Sequence, residues 1–455
     1  IWHQEIEDII VLKNNKGTED NRVRKLDYSI QISKLFYERF IQDGEITLFS
    51  PHDVPGLYDA FGTDRFDDLY ESYERDQSIP RKTIGAQELI LDLLKERAET
   101  GRVYIMNIDH CNSHSSFKDK VNMSNLCQEI TLPTDPLQHI DGEGEIALCI
   151  LSAVNVGKIK SDEELEEICD LSVRGLEELI DYQKYPIIAA EVATKARRSL
   201  GVGFIGLAHY LAKLGFKYDS QEAWDAVHTL SESFQYYLLK ASNQIAKEKG
   251  ACEYFSRTKY ADGILPIDTY KSDVDQITSV EYQHDWETLR ASIVEHGLRH
   301  STLSAQMPSE SSSVVSNATN GIEPPRGYLS IKKSKKGPLK QIVPQYNSLK
   351  SHYTLLWDMP NNDGYVKIVA VMQKFFDQAI SGNWSYNPEH YPDNEVPVSV
   401  MAQDLLTTYK YGWKTSYYQN TNDLKTDEVN DSSDLKELLT QLEAAEEDDC
   451  ESCKI

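Results

Sequence analysis

The chain has 455 residues, 40% of them hydrophobic, and a formal charge of −26. This acidic balance argues against a nucleic-acid-binding surface, which needs clustered lysine and arginine, and no run of about 18 apolar residues predicts a membrane span. The seven cysteines are too few and too scattered for a disulfide-built secreted domain. No signal peptide is recognisable, so we expect a cytoplasmic protein.

Strand and helix patterns alternate along the chain. The predicted strands are 46–49, 103–108, 145–156 and 302–307. The predicted helices are 86–99, one that begins at the capping box of Ser161 and Glu164, 220–249, 365–380 and 398–411. Strands that alternate with long helices indicate an α/β protein with mainly parallel strands.

The composition changes near residue 424. Residues 427–455 contain eleven acidic residues against two lysines and few large apolar side chains, which is typical of a solvated, disordered tail. We therefore predict two parts. Residues 1–424 form the folded α/β unit, and residues 425–455 form a flexible acidic tail that contains Cys450 and Cys453.

The stretch from Asn125 to Glu129 places an amide, a thiol and a carboxylate at alternate positions. In an extended segment Asn125, Cys127 and Glu129 would share one face, and Leu126 and Gln128 the other. The negative charge of the carboxylate disfavours the thiolate form of Cys127, so this cysteine would be a poor ordinary nucleophile. The arrangement fits a sulfur that reacts as a radical, with the carboxylate beside it as a general base. A strand with a buried structural cysteine is the alternative, and the pentapeptide alone favours it.

Two further pairs are candidates for redox chemistry. Cys450 and Cys453 lack nearby partners for a zinc site, so their spacing favours a dithiol shuttle on the tail, with an accidental pair as the alternative. Tyr417 and Tyr418 follow a predicted helix. Adjacent tyrosines are more often core or interface residues, but stacked phenols can also relay a radical.

The serine-rich stretch Pro308-Ser309-Glu310-Ser311-Ser312 follows a predicted strand. If a helix begins there, hydroxyls and free backbone N–H groups would converge on an anion. An ordinary capped loop is equally compatible with this sequence.

Three other patterns match functional motifs, but we interpret them as structural. Gly201–Gly206 matches the dinucleotide-binding fingerprint letter for letter, but no convincing buried strand precedes it. The cluster from His110 through Cys111 to His114 has metal-like spacing without an evident set of partner ligands. Cys169 and Cys252 occupy positions that are typical of small buried hydrophobic residues.

Five motifs in order carry a resemblance to a known family: Asn125–Glu129, Cys149 in Ala147-Leu148-Cys149, Met307–Ser312, Tyr417-Tyr418 and Cys450-x-x-Cys453. Together they resemble the catalytic large (alpha) subunit of class I ribonucleotide reductase, of the class Ia type of enteric bacteria and their phages. The resemblance extends along the whole chain. It implies the C-terminal part of a ten-stranded α/β barrel, with the Cys127 segment on a loop inside.

The resemblance implies catalytic roles for four residues. Cys127 would become the thiyl radical that abstracts the 3′-hydrogen of the substrate. Glu129 would be the base at the 3′-hydroxyl, and Asn125 would hold the substrate hydroxyls. Cys149 would be one of the two thiols that reduce the 2′-position and end as a disulfide.

The same resemblance implies roles in radical delivery, substrate binding and recharging. Tyr417 and Tyr418 would be the last links of the radical path from the small (beta) subunit. The segments Asn125–Glu129 and Pro308–Ser312 would bind the substrate, the latter as the cradle for its diphosphate. Cys450 and Cys453 would re-reduce the site before thioredoxin or glutaredoxin recharges them.

The family's large subunit is far longer, and the chain corresponds to its later part. We therefore expect the second reducing cysteine, the main nucleotide-effector site and any activity-control domain to belong to an N-terminal half, on a longer chain or a separate partner. No metal or cofactor is expected on this chain, because the radical comes from the metal cofactor of the small subunit. The expected function is reduction of ribonucleoside diphosphates to 2′-deoxyribonucleoside diphosphates for DNA synthesis.

Two alternatives compete with this interpretation. A glycyl-radical enzyme on a related barrel would need a C-terminal glycine loop, and this chain has Tyr417, Tyr418 and the dithiol tail there. A non-catalytic interaction or regulatory fragment of such a subunit belongs to a different functional class. The intact catalytic positions argue against it.

Overall fold

The computed structural model describes residues 1–422 except 15, 17, 19–21, 140–142, 335 and 336. The predicted tail and its cysteines, Cys450 and Cys453, lie outside the described residues. None of the helices in the described part of the chain combines the length and the apolarity that crossing a membrane requires.

Helices and strands alternate over most of the described chain. The helices are α1 Ile6–Ile10, α2 Lys34–Ile41, α3 Leu57–Ala60, α4 Phe66–Arg75, α5 Ala86–Thr100, α6 Ile108–Ser113, α7 Asp162–Tyr182, α8 Ile188–Arg197, α9 Leu207–Leu214, α10 Gln221–Lys249, α11 Trp286–His296, α12 Glu310–Val315, α13 Tyr346–Leu349, α14 Asp363–Gln373 and α15 Val398–Lys410. The strands are β1 Ser29–Ile32, β2 Glu45–Leu48, β3 Lys82–Gly85, β4 Tyr104–Asn107, β5 Asp135–His139, β6 Glu143–Glu145, β7 Ile150–Asn155, β8 Leu200–Ile205, β9 Leu329–Ser334, β10 Gly337–Ile342, β11 Trp384–Tyr386, β12 Thr415–Ser416 and β13 Gln419–Thr421.

The strands form one three-stranded sheet, in the order β1-β4-β12, and five two-stranded pairs among the described residues. Four of the seven strand pairings in that part of the chain are antiparallel, so the prediction of mainly parallel strands is wrong. Two of the antiparallel pairs, β5–β6 and β9–β10, are hairpins, whose short connections only antiparallel strands permit. The fold is a mixture of helices and strands, and the described strands do not close into a barrel.

The long helices follow the sequence pattern closely. The N-terminus of α7 is capped by Ser161, whose hydroxyl accepts the backbone N–H of Glu164 at 3.3 Å. The N-terminus of α10 is capped in the same way by Ser220, which accepts from Ala223 at 3.2 Å. The apolar face of α10 is buried against α7 and α14, and this helical layer covers the back of β8 because Phe234 contacts Phe204.

β8 belongs to the row of paired segments that holds the candidate site, hereafter the wall. It pairs in parallel with β7 along its whole length, and all six of its residues are buried. On its other side Val202 pairs with Ser304, and Gln306 pairs in turn with Ile380. The predicted strand 302–307 therefore contributes only isolated pairings, and the next segment along the wall is the one around residue 380.

The helix predicted over 365–380 ends seven residues early, at Gln373. The cause is the buried carboxylate of Asp377, which accepts the backbone N–H groups of Leu303 and Ser304 at 2.9 Å each. These bonds draw the chain away from the helix axis. Residues 377–381 become a non-helical segment, hereafter the 377–381 segment, which runs through the centre of the site.

Candidate active site

Cys127 lies on a tight turn and not on a strand. The backbone N–H of Gln128 donates to the carbonyl of Asn125 at 3.2 Å, and Gln128 adopts a left-handed φ of 72°. Its side-chain amide donates to the same carbonyl at 2.9 Å, which stabilises the turn. The predicted alternation is therefore wrong: Gln128 is 3% exposed, whereas Leu126, predicted to share its face, is 58% exposed.

The turn nevertheless gathers the predicted amide, thiol and carboxylate. The side chain of Asn125 hydrogen-bonds to the Glu129 carboxyl and also accepts the backbone N–H of Ile130 at 3.1 Å. Burial raises the pKa of the Glu129 carboxyl, while the hydrogen bonds from Asn125 and Ser381 oppose that rise. The site therefore presents a desolvated carboxyl beside a thiol, which is an arrangement suited to moving a proton.

The Cys127 thiol contacts the first tyrosine of the predicted pair. The hydroxyl of Tyr417 donates to Sγ at 3.5 Å, and the rings of Tyr417 and Tyr418 lie with their centroids 3.8 Å apart. Burial raises the pKa of the Cys127 thiol, and the Glu129 carboxylate adds to that rise. The thiol thus stays protonated at neutral pH, with a hydrogen atom to give and a phenol in contact with it.

Buried hydrogen bonds hold the tyrosine segment against distant parts of the chain. The guanidinium of Arg97, on α5, donates to the carbonyls of Tyr417 at 2.7 Å and Tyr418 at 3.2 Å. The hydroxyl of Thr415, on β12, donates to the carbonyl of Gln128 at 2.9 Å. Neither residue was singled out from the sequence. Their contacts join positions hundreds of residues apart, and no local pattern records them.

Cys149 precedes β7 and lies against the neighbouring strand β8. The amide of Gln378 donates to its Sγ at 3.5 Å. A Cβ placed on Gly201 would lie 2.9 Å from the same sulfur, so the thiol packs against bare backbone. Burial raises the pKa of the Cys149 thiol, while the hydrogen bond from Gln378 lowers it.

The 377–381 segment contacts Cys127, Glu129 and Cys149. The backbone N–H of Ala379 donates to the carbonyl of Glu129 at 3.0 Å. The hydroxyl of Ser381 lies 2.5 Å from the Cys127 carbonyl and 3.2 Å from the Glu129 carboxylate. The sequence pattern predicted a helix over this segment. It gave no signal of the break, because the groups that bind Asp377 belong to Leu303 and Ser304, far away in the chain.

A helix begins within the predicted substrate cradle, which is one of the two possibilities that the sequence left open. α12 starts at Glu310, with Ser309 at the N-cap position. The hydroxyl of Ser309 donates to the Met307 carbonyl and that of Ser312 to the Ser309 carbonyl, each at 3.2 Å. These hydroxyls stabilise the turn into the helix. Whether the segment binds an anion stays a prediction.

The model of the ribonucleotide reductase barrel domain matches residues 1–419 of this chain. The chain belongs to this ribonucleotide reductase family. It is 58% identical to the ribonucleoside-diphosphate reductase subunit alpha of Haemophilus influenzae over 95% of its own length and 58% of that relative. It is 54% identical to the ribonucleoside-diphosphate reductase 1 subunit alpha of Escherichia coli strain K12 and 43% identical to the ribonucleoside-diphosphate reductase subunit alpha of Enterobacteria phage T4, in each case over all of this chain and 60% of the relative. The chain thus spans about 60% of the length of these curated relatives.

Family membership fits the placement of the motifs that we interpreted as structural. In a dinucleotide-binding fold the glycine fingerprint follows a strand, whereas in this chain Gly201 and Gly203 lie within β8 itself. A Cβ on Gly203 would lie 2.6 Å from the Ala305 carbonyl oxygen. These glycines therefore allow β8 to pack closely against the neighbouring segments of the wall.

The remaining histidines and cysteines have structural placements. His110 stacks on Tyr409 with ring centroids 4.3 Å apart, and His114 contacts Thr269 and Gln373. No group of three or more metal-ligating side chains converges within the described residues. Three further cysteines in that part of the chain are fully or almost fully buried: Cys111, Cys169 and Cys252. Burial was predicted for the last two.

Proposed function

We propose that the chain is the C-terminal part of a class Ia ribonucleoside-diphosphate reductase alpha subunit and contains its thiyl-radical site. The observation that carries this proposal is the 3.5 Å contact between the Tyr417 hydroxyl and Cys127 Sγ, at the end of a pair of tyrosine rings in close contact. A core cysteine needs no redox-active phenol against its sulfur. A radical cysteine needs one.

The first steps move hydrogen atoms and one proton. A phenoxyl radical on Tyr417, generated through Tyr418 by the metal cofactor of a small subunit, takes the hydrogen atom of the Cys127 thiol and leaves a thiyl radical. The thiyl radical abstracts the 3′-hydrogen of the substrate. Glu129 takes the proton of the 3′-hydroxyl, and Asn125 orients the hydroxyl.

The reduction consumes two thiols. The two thiols supply two protons and two electrons and become a disulfide, so that the 2′-hydroxyl leaves as water and the 2′-carbon gains a hydrogen. Cys127 then returns its hydrogen atom to the 3′-carbon and Glu129 returns its proton to the 3′-oxygen. The product is the 2′-deoxyribonucleoside diphosphate, and the thiyl radical on Cys127 is restored. Cys149 supplies one thiol from its position beside β8. In the proposal the second thiol comes from the upstream half, and Cys450 and Cys453 return reducing equivalents from thioredoxin or glutaredoxin.

The substrate diphosphate is proposed to bind at Pro308–Ser312. The support is the start of α12 within this stretch, since the first N–H groups of a helix have no partner within the helix. Main nucleotide-effector sites are proposed on the upstream half, and no cofactor is assigned to this chain.

An upstream polypeptide of the ten-stranded barrel is proposed to cover the site. Four large apolar side chains of the Cys127 turn and the β5–β7 region are more than a third exposed: Leu126, Leu137, Leu148 and Leu151. A contiguous apolar patch marks an interaction surface, and in this proposal the four side chains belong to one. β7 also pairs only with β8 among the described strands, which leaves an edge that a further strand can extend.

The deciding experiment is CDP reduction by this chain with a small subunit and thioredoxin, with and without the upstream half of a close relative. We expect dCDP only when both halves are present. Cys127→Ser should abolish dCDP formation and retain subunit association, and Cys169→Ala, at a buried cysteine on α7, should retain both. A complex that forms and never makes dCDP would favour a non-catalytic interaction fragment.

A further inference from the structure

Gln378 places a fully buried amide against the thiol of Cys149. Its Nε2 lies 3.5 Å from Sγ and donates to the Leu200 carbonyl at 2.9 Å. Its Oε1 accepts the backbone N–H of Thr131 at 3.2 Å. The side chain is 0% exposed, and partners for both N–H groups and the oxygen determine one orientation of the amide.

The backbone of Gln378 is fixed as firmly as its side chain. Its N–H donates to the Ser304 carbonyl at 3.0 Å. Its carbonyl accepts from Nε2 of Gln373 at 2.8 Å and from Nζ of Lys414, a buried lysine, at 2.9 Å. The backbone that carries this amide is therefore held by three different segments of the chain.

The opposite side of the thiol is formed by β8. A Cβ on Gly201 would come within 2.9 Å of Cys149 Sγ and 2.6 Å of Leu151 Cδ2. The sulfur therefore lies between the Gly201 backbone and the Gln378 amide. The Gly201 backbone blocks one side of the sulfur and the Gln378 N–H group occupies the other, so the S–H bond can point in few directions.

We propose that Gln378 is the positioning residue of the Cys149 thiol, through its N–H···S hydrogen bond. The same amide binds the backbone of Thr131, two residues after Glu129, so it also sets the spacing between the reducing thiol and the proposed base. This inference rests on the proposed function, in which Cys149 is one of the two reducing thiols.

The electrostatic surroundings of the thiol make the hydrogen bond measurable. Burial raises the pKa of the Cys149 thiol, and the carboxylates of Glu129 and Asp377 face it and add to that rise. The Gln378 donor acts in the opposite direction, because it stabilises the thiolate. Removing the donor should therefore slow every reaction of Cys149 that proceeds through its thiolate.

The test is the rate of iodoacetamide alkylation of Cys149 as a function of pH, read by mass spectrometry in the complex with both halves. Gln378→Leu should slow alkylation about fivefold at pH 8, the effect of losing one hydrogen bond to the anion. Gln378→Glu should slow it further, because it adds a carboxylate beside the sulfur. Cys127, alkylated in the same sample, should keep its rate within about twofold, the scatter expected of an unaffected neighbour.

A matched control uses another buried amide. Asn243, on α10, is 3% exposed and donates to the carbonyls of Ser292 and Gly297, away from the site, and Asn243→Leu should leave the Cys149 profile unchanged. Equal slowing by Asn243→Leu, or a Cys149 profile that does not respond to Gln378→Leu, would overturn the inference. So would a parallel loss of Cys127 reactivity, which indicates collapse of the whole site.

Turnover gives a second readout. In the active complex Gln378→Leu should lower kcat for dCDP formation about tenfold with little change in KM, because the residue does not touch the substrate. A rise in KM with kcat unchanged would contradict the positioning role. Alkylation requires no catalysis, so an inactive wild-type complex would refute the proposed function while the Cys149 profiles still decide this inference.

Discussion

The hydroxyl of Ser381 lies 2.5 Å from the carbonyl of Cys127 and 3.2 Å from the carboxylate of Glu129. A hydroxyl has one hydrogen, so it can donate to only one of these acceptors at a time. Ser381 thus links the geometry of the Cys127 turn to the charge state of the proposed base. The first prediction concerns this link.

Ser381→Ala should shift the acid limb of the pH–rate profile. A hydrogen bond to the carboxylate lowers the pKa of Glu129, and burial already holds that pKa above its usual value. Loss of the hydroxyl should raise the pKa further, so the fraction of active base at a given pH falls. The measurement is kcat/KM for dCDP formation against pH, and Ser381→Thr, which keeps the hydroxyl, should retain the wild-type limb.

Glu129→Gln should be inactive but gain stability relative to wild type as the pH rises. A carboxyl whose pKa is raised in the folded state binds more protons folded than unfolded, so stability falls as pH increases through this range. The neutral amide removes that dependence. Urea unfolding at pH 4.5 and pH 8 should show the variant gaining on wild type at pH 8, and an equal difference at both values would contradict the burial argument.

Tyr417→Phe should abolish turnover while the fold persists. The variant keeps the ring that packs against Tyr418 and removes the hydroxyl that contacts Cys127. A phenyl group cannot exchange a hydrogen atom with the thiol, so dCDP formation should fall by more than about 100-fold. Tyr182→Phe, at a tyrosine that is 87% exposed on α7, serves as the control and should be indistinguishable from wild type.

Gly201→Ala tests the packing of Cys149 against β8. The added Cβ would lie 2.6 Å from Leu151 and 2.9 Å from the thiol, and such overpacking costs about 1–3 kcal/mol. We expect lower stability in urea and loss of turnover. Gly175→Ala is the matched control, because a Cβ there, within α7, has nothing within 4 Å and should stabilise the helix by about 0.5–1 kcal/mol.

These residues also show what sequence can and cannot predict. α5, α7 and α10 follow from periodicity and caps, because those signals are local. The Cys127 turn does not, because Gln128 owes its left-handed backbone to bonds with Asn125 and to contacts from Thr415, far away in the chain. Tyr417 and Cys127 were found by motif alone, and their contact required the fold. The 377–381 segment was missed, because the Asp377 bonds that end α14 come from residues 303 and 304.

Arg97→Lys should weaken the support of the tyrosine pair. The buried guanidinium spans the carbonyls of Val103, Tyr417 and Tyr418 and lies over the Trp384 ring at 4.7 Å. Burial lowers the pKa of Arg97 to about 10, so it stays charged at neutral pH and its hydrogen bonds are charge-assisted.

A lysine has one nitrogen and cannot reproduce this fork. We expect Arg97→Lys to cost about 2–3 kcal/mol in urea unfolding and to lower turnover, because Tyr417 is no longer held at the distance that hydrogen transfer to Cys127 requires. Arg75→Lys, at a side chain 70% exposed on α4, should change stability by less than about 0.5 kcal/mol. Wild-type turnover in Arg97→Lys would show that the Cys127 turn and the 377–381 segment position the tyrosines without this residue.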